Sequence, residues 1–161
     1  MKITQIREKD GVEALSVLDF NLLIEKIKTE IKTRPVTGLR QALHFVLPGE
    51  SCSFAGKLPK VIPAAVFGRV NGVKRMKVYN GIVELTVGPL AGKVEVEMVK
   101  KKAAELPQTM FAYMGSSGNS VQIWTLFTRP DGTLPPTQAE AEIFPAHAYR
   151  LGVKCYQPPI P

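Results

Sequence analysis

The dipeptide Asn71-Gly72 lies between two runs of strand-forming residues and constrains the fold more than any other feature of this sequence. Asn-Gly favours the positive φ angles that a two-residue hairpin turn requires at both central positions. The flanking runs, residues 66–70 and 74–83, contain several β-branched and aromatic residues. We therefore predict an antiparallel hairpin with these two runs as its arms.

The second arm leads directly into another alternating segment, residues 79–90. Residues two apart in a strand share a face, so this segment has two faces of different character. The apolar face carries Val83, Leu85 and Val87, and the mixed face carries Ile82, Glu84, Thr86 and Gly88.

Strands and amphipathic helices are predicted along the rest of the chain. We predict strands at residues 1–7, 109–114 and 121–128, and helices at 19–32, 37–44, 94–106 and from 137 onward. Asp19 is the predicted N-cap of the first helix, and Thr137 with Glu140 forms a capping box for the last. Pro145 predicts a kink or a second segment in that helix. This order favours an α+β fold, a largely antiparallel sheet with helices packed on it.

The composition is that of one ordinary globular domain covering residues 1–161. Its 45% hydrophobic and 22% charged residues are typical of soluble proteins. The sequence has neither an apolar run of about 18 residues nor a signal-peptide core. We therefore expect a cytoplasmic protein with no membrane partner.

Three ordered segments resemble the VirE N-terminal domain family of Bacteroides-type mobile elements. They are residues 56–67, which begin Gly-Lys-Leu-Pro-Lys, residues 79–83, which read Tyr-Asn-Gly-Ile-Val, and residues 114–124. That family is similar to archaeo-eukaryotic primases and bifunctional primase-polymerases. The resemblance implies a primase-polymerase-like fold with an RRM-like core, in a replication or mobilisation protein. It also implies a helicase-like ATPase region in the same protein, of which this chain would be the N-terminal part.

The sequence differs from the family's pattern at the positions that would form the catalytic site of a polymerase. In such primases the mixed face of the strand carries paired acids that hold divalent metal, and here those positions are Thr86 and Gly88. Hard cations need carboxylate oxygens, which neither residue supplies. Gln122 stands where the family has a Lys or His, and a neutral amide lacks that charge. The resemblance thus implies a degenerate site at Glu84, Thr86, Gly88 and Gln122, with no catalytic residue, no cofactor and weak or absent Mg²⁺ or Mn²⁺ binding.

The loop at residues 115–120 is a candidate site for a nucleotide or a phosphate. Its candidate residues are Ser116, Ser117, Gly118 and Asn119. They offer amide and hydroxyl donors, and glycine lets the backbone approach a ligand closely. The alternative is a surface connection between two strands, in which Ser, Gly and Asn are common. On the flanking strands, Tyr113 and Trp124 are predicted either to stack on a base or to form sheet core.

The formal net charge of +7 is the second functional indication. A positive field raises the rate of encounter with phosphate backbones, so a nucleic-acid partner is expected. The candidate nucleic-acid-binding residues are Lys57, Arg69, Lys74, Arg75 and Lys77. The alternative for each of them is a solvated surface with no partner.

Three functions remain, in decreasing order of support. The first is a catalytically silent primase-like module that helps a replication or mobilisation protein engage nucleic acid. The second is a structural or protein-interaction domain without nucleic-acid affinity. The third is an active primase-polymerase, in which Glu84 and a carboxylate from elsewhere would rebuild a metal site. A two-metal site needs several carboxylates, so the active enzyme has the least support of the three functions.

Overall fold

The computed structural model of the chain describes residues 1–9, 11–29, 35–45, 58–135 and 138–156. Within these ranges the secondary structure consists of eight strands and four helices. In chain order the elements are β1 (Lys2–Lys9), β2 (Val12–Asp19), α1 (Phe20–Lys28), α2 (Pro35–Leu43), β3 (Lys60–Ile62), β4 (Ala65–Val70), β5 (Val73–Tyr79), β6 (Ile82–Val87), α3 (Lys93–Glu105), β7 (Thr109–Met114), β8 (Val121–Leu126) and α4 (Gln138–Tyr156).

The first sheet has the strand order β2-β1-β3 and is antiparallel throughout. β1 and β2 pair without interruption, from Lys2 opposite Asp19 to Lys9 opposite Val12. β2 was not among the predicted strands. Its apolar residues alternate poorly with polar ones, and Leu18 is its one buried residue, so the period that reveals a half-buried strand is weak.

The predicted hairpin is confirmed as β4 and β5, the two strands of the second sheet. Asn71 and Gly72 have φ angles of 50° and 77°, as the turn requires. The second arm ends at Tyr79 and not at residue 83. Gly81, with a φ of 69°, turns the chain out of this sheet and into the next.

The third sheet has the order β6-β8-β7, and α3 and α4 pack on one of its faces. Residues of the predicted apolar face of β6 meet the buried face of α3 in one core cluster. That cluster includes Val83, Leu85, Val96, Val99, Ala103, Val121, Ile123, Ala148 and Tyr156. The predicted alternation of β6 is thereby confirmed for residues 82–87.

The opposite face of the third sheet is covered at one end by the first sheet and α1. Ile3 and Leu18 of the first sheet pack against Ile82 and Trp124, and Phe20 of α1 joins them. The ring centroids of Phe20 and Trp124 are 5.8 Å apart. The other end of this face, at Thr86 and beyond, lies outside this cluster.

Thr4 joins the first sheet to the base of the hairpin. Its side chain is fully buried, and its hydroxyl donates to the Ala65 carbonyl at 2.9 Å. The same oxygen accepts from the Phe67 amide at 2.7 Å. Two backbone groups of β4 are therefore satisfied by one side chain, as buried backbone groups require.

The helices follow the predictions with differences at their ends. Asp19 caps α1 by accepting from the Asn21 amide at 2.8 Å, and α1 ends at Lys28, four residues before the predicted end. α4 is one helix across Pro145, so no second segment begins there. Thr137 lies outside the described residues. Among the described helices, none combines the length and apolar character needed to cross a membrane.

The α+β fold class is confirmed. In the described part of the chain, the strands form three small antiparallel sheets, with helices packed on the third.

Candidate functional site

Residues on the mixed face of β6 pair with residues of β8, which in turn pair with residues of β7, so that two rows of side chains cross the third sheet. Glu84 lies opposite Trp124, which lies opposite Phe111. The second row consists of Thr86, Gln122 and Tyr113. Of the four site residues predicted from the sequence, Thr86 and Gln122 thus lie opposite each other, and Glu84 lies in the neighbouring row.

Glu84 supports the aromatic residues of this face. The Trp124 Nε1 donates to Glu84 Oε1 at 3.1 Å, and Trp124 has 0% exposure. Edge-to-face contacts join Trp124 to Phe111 and Tyr113, with ring centroids 5.8 Å apart in both pairs. Trp124 is thus sheet core and presents no ring face for a base to stack on.

Tyr113 shares the Glu84 carboxylate. Burial raises the pKa of the Tyr113 hydroxyl far above its ordinary value of 10.0, and the charge of Glu84 and its hydrogen bond raise it further. The hydrogen bond with Trp124 acts in the opposite direction. The neutral hydroxyl is the form that this environment favours, because ionisation would place a second negative charge beside the carboxylate.

We expect the raised pKa of Tyr113 to appear in the pH dependence of stability. Between the unfolded value near 10 and the higher folded pKa, the unfolded chain loses the proton that the folded chain keeps. The tyrosine contribution to stability is therefore complete below about pH 10 and declines above it. Urea unfolding at several pH values between 9 and 11 measures this decline.

Two tyrosine variants isolate the effect. Tyr113→Phe should make the decline shallower and leave the part due to Tyr79, whose pKa burial raises to about 12. Tyr149→Phe is the matched control, since Tyr149 is 49% exposed on α4. Equal declines in wild type and Tyr113→Phe would contradict the assignment.

Thr86 and Gln122 are engaged with each other. The Thr86 hydroxyl donates to Gln122 Oε1 at 2.8 Å, across the register that pairs these two residues. Neither group is ionisable at neutral pH. The row therefore offers hydrogen-bonding groups and no charge for a metal or a phosphate.

Gly88 does not share the strand face, contrary to the prediction. β6 ends at Val87, and Gly88 has a φ of 154°, a conformation that L side chains rarely adopt. A Cβ there would lie 2.9 Å from Ser120 Cβ and 3.0 Å from the Asn119 carbonyl oxygen. The present backbone thus has no room for a carboxylate at this position, which weakens the interpretation of residues 86 and 88 as a metal pair stripped of its acids.

Within the described residues, no group of three or more His, Cys, Asp or Glu side chains is close enough to hold a metal ion. Glu84 is the acid of the mixed face, and it serves Trp124 and Tyr113.

The loop at residues 115–120 is the tight connection between β7 and β8. The Gly115 amide donates to the Ser120 carbonyl at 2.8 Å, and the Gly118 amide donates to the Gly115 carbonyl at 3.0 Å. Ser117 Oγ donates to Asn119 Oδ1 at 2.5 Å. Several of the donors that would hold a phosphate are thus used within the loop, while Ser116, Ser117 and Asn119 stay exposed.

Arg40 of α2 braces this loop and was not predicted as part of the site. Its Nη2 donates to the Gly115 carbonyl at 3.0 Å, and its Nε donates to the Ser116 carbonyl at 3.2 Å. The contact joins residues 75 or more apart in sequence, and no local pattern marks it. Arg40 brings a positive charge to the loop, and two of its donors are used on backbone carbonyls.

The hairpin brings the predicted basic residues together, with the exception of Lys57, which lies outside the described residues. Opposite residues in the register share a face, so Arg69 and Lys74 lie on one face with Phe67 and Met76. Arg75 lies opposite Gly68 on the other face, and the Lys77 side chain lies over that glycine. We call this second face the open ribbon face. It is formed by Gly68, Val70, Val73, Arg75 and Lys77, and at its base by Val78, which lies opposite Val66 where the register shifts between Val66 and Phe67.

The four hairpin cations differ in what they contact. Arg69 donates to the Gly72 carbonyl at 2.9 Å and to the Glu13 carbonyl at 3.1 Å, and Lys74 Nζ lies 4.8 Å from the Phe67 ring centroid. These two cations contribute to the fold of the hairpin. Arg75 and Lys77 are exposed on the open ribbon face. Their positions make them the hairpin cations best placed to meet an outside anion.

The chain was compared with protein-family models. Residues 53–161 match the family described as BT4734-like, N-terminal domain. Searches of curated proteins and of solved structures found no match.

Proposed function

This chain belongs to the BT4734-like N-terminal domain family, and we propose that it is a nucleic-acid-binding module without catalytic activity. Its finer relation to the VirE N-terminal domain and to primase-polymerases, in a replication or mobilisation protein, is part of the same proposal. The ordered segments that carry that resemblance, from residue 56 to residue 124, fall entirely within the matched region.

One observation carries the proposal: the exposed cations stand on a hairpin that contains no acidic residue. Residues 65–79 contain Arg69, Lys74, Arg75 and Lys77 and neither Asp nor Glu. The open ribbon face therefore has a positive potential that no carboxylate of the hairpin offsets. Sequence-independent attraction of phosphates by Lys and Arg supplies most of the affinity of nonspecific nucleic-acid binding.

The mixed face of β6 supports a non-catalytic assignment. Phosphoryl transfer needs several carboxylates to hold its metal ions. Here Thr86 bonds to Gln122, and Glu84 accepts from Trp124. These side chains form a structural network of the sheet. They offer no grouping of carboxylates for a divalent ion.

We expect the double substitution Arg75→Ala and Lys77→Ala to weaken nucleic-acid binding by about tenfold or more at low salt, since each cation neutralises a phosphate. Fluorescence polarisation with a labelled 20-nucleotide strand, alone and annealed to its complement, measures the change. The matched control is Lys93→Ala with Lys101→Ala, which removes two exposed lysines of α3.

The control shows whether position or charge alone matters. It lowers the net charge by the same amount and should change the affinity little. Equal losses in both double variants would contradict a site on the hairpin. If wild type binds neither probe at low salt, the protein is instead a structural or protein-interaction domain.

A further inference from the structure

The open ribbon face combines its two cations with exposed valines. Val70 is 53% exposed, and Val73 and Val78 are each 54% exposed. Exposed valine is costly to leave in water and gains from contact with an apolar partner group. The face can therefore bind an anion through its two cations and contact an apolar group through its valine methyl groups.

The hairpin has the shape of a two-stranded ribbon with a fixed base. Thr4 bonds to Ala65 and Phe67 at the base, where Ala65 and Tyr79 are buried. Residues 69–75 are exposed on both strands and around the turn. On the other face, Arg69 contacts the Glu13 carbonyl of β2. The hairpin is thus attached at its base and on its other face, and the open ribbon face is exposed near the turn.

We infer that the open ribbon face enters the major groove of B-form duplex DNA. Neighbouring strands lie about 4.8 Å apart, so a two-stranded ribbon fits a groove about 12 Å wide. In that groove, thymine methyl groups are the apolar partners that valines can contact. Arg75 and Lys77, each on a long flexible stem, reach backbone phosphates at the rims of the groove. This inference rests on the proposed function and specifies its partner.

Other partners fit this face less well. Single strands are bound mainly by stacking of bases on aromatic rings, and the open ribbon face has none. The major groove of duplex RNA is too deep and narrow for side chains to read. A second copy of the same face would bring like charges together without a compensating acid. An acidic peptide would satisfy the cations and is tested as a competitor.

The test measures fluorescence polarisation of the full chain at fixed salt with four probes. These are a 20-base-pair A·T-rich DNA duplex, the duplex RNA of the same sequence and each of the two single DNA strands. A competition titration of the DNA duplex with polyglutamate is run beside them. We expect the DNA duplex to bind roughly tenfold or more tighter than the other nucleic acids, and polyglutamate to compete poorly. Equal or tighter binding of single strands or duplex RNA would overturn the inference and leave the proposed function standing.

Substitution of the valines tests the apolar contact separately from the charge. Val70→Thr with Val78→Thr keeps β-branched side chains in the strands and replaces one methyl group of each by a hydroxyl. We expect duplex affinity to fall roughly threefold or more with the salt dependence unchanged. Val12→Thr, at a 65% exposed valine of β2, is the matched control and should not change it. Unchanged duplex affinity in the valine variant would overturn groove entry. Absence of binding to every probe would overturn the proposed function as well.

Discussion

Replacing Thr4 by valine should lower the free energy of unfolding by about 3 kcal/mol, because it leaves two backbone groups of β4 without a partner. The Thr4 hydroxyl donates to the Ala65 carbonyl and accepts from the Phe67 amide, and the side chain is fully buried. Valine has nearly the same shape, so the loss reports the missing hydrogen bonds and not a cavity. Urea unfolding followed by circular dichroism measures it.

Thr4→Ser is the control for the hydroxyl. Serine keeps both hydrogen bonds and loses one buried methyl group, which costs about 1 kcal/mol. The order of stability should therefore be wild type, then Ser, then Val. If Val is as stable as Ser, Thr4 does not join the first sheet to the hairpin, and the rigid base of the ribbon would be in doubt.

Replacing Glu84 by leucine should cost about 2 to 3 kcal/mol of unfolding free energy, because the buried Trp124 Nε1 loses its acceptor. The Tyr113 hydroxyl loses a partner in the same substitution. Thermal or urea unfolding measures the loss. The prediction treats Glu84 as a hydrogen-bond acceptor of the sheet.

Glu84→Gln separates this role from metal binding. Glutamine keeps an acceptor oxygen and removes the charge, so we expect it to cost less than leucine, about 1 kcal/mol or below. A metal ligand would behave differently, since loss of the carboxylate would abolish any stabilisation by Mn²⁺. Stabilisation of wild type by millimolar Mn²⁺ that is lost in Glu84→Gln would contradict the structural role and favour the active primase-polymerase.

The elements with strong local signals could be predicted from the sequence. The Asn71-Gly72 turn needs φ angles that few other dipeptides allow, and the alternation of Val83, Leu85 and Val87 defines a buried face. Asp19 has a side chain that suits an N-cap, and it does cap α1. Each of these features depends on residues only a few positions apart.

The features that depend on distant contacts could not be predicted. Thr4 and Ala65 are 61 positions apart, and Arg40 reaches Gly115 from 75 positions away. A threonine or an arginine in a sequence does not reveal such a partner. The error at Gly88 is different, because a local signal was present: Pro89 follows it, and proline has no amide hydrogen to donate within a sheet. The approach of Ser120 and Asn119 to Gly88 is the part that the sequence does not reveal.

The different environments of the hairpin cations could not be predicted from the sequence either. The sequence places all four in one basic cluster, and only the strand register assigns them to two faces. Arg69 and Lys74 interact with the protein itself, whereas Arg75 and Lys77 stand exposed beside valines. Charge counting supports a polyanionic partner, and the strand register shows which cations could meet it.

The salt dependence of binding tests the central claim, that Arg75 and Lys77 contact nucleic-acid phosphates, most directly. Polarisation titrations from low to physiological salt give the slope of log K against log salt concentration, which is about 0.7 to 0.9 per neutralised phosphate. We predict that Arg75→Ala with Lys77→Ala makes this slope shallower by roughly one to two units, whereas Lys93→Ala with Lys101→Ala leaves it unchanged. An unchanged slope in the hairpin variant would contradict the claim, and a shallower slope in the α3 variant would place the phosphate contacts on α3 instead.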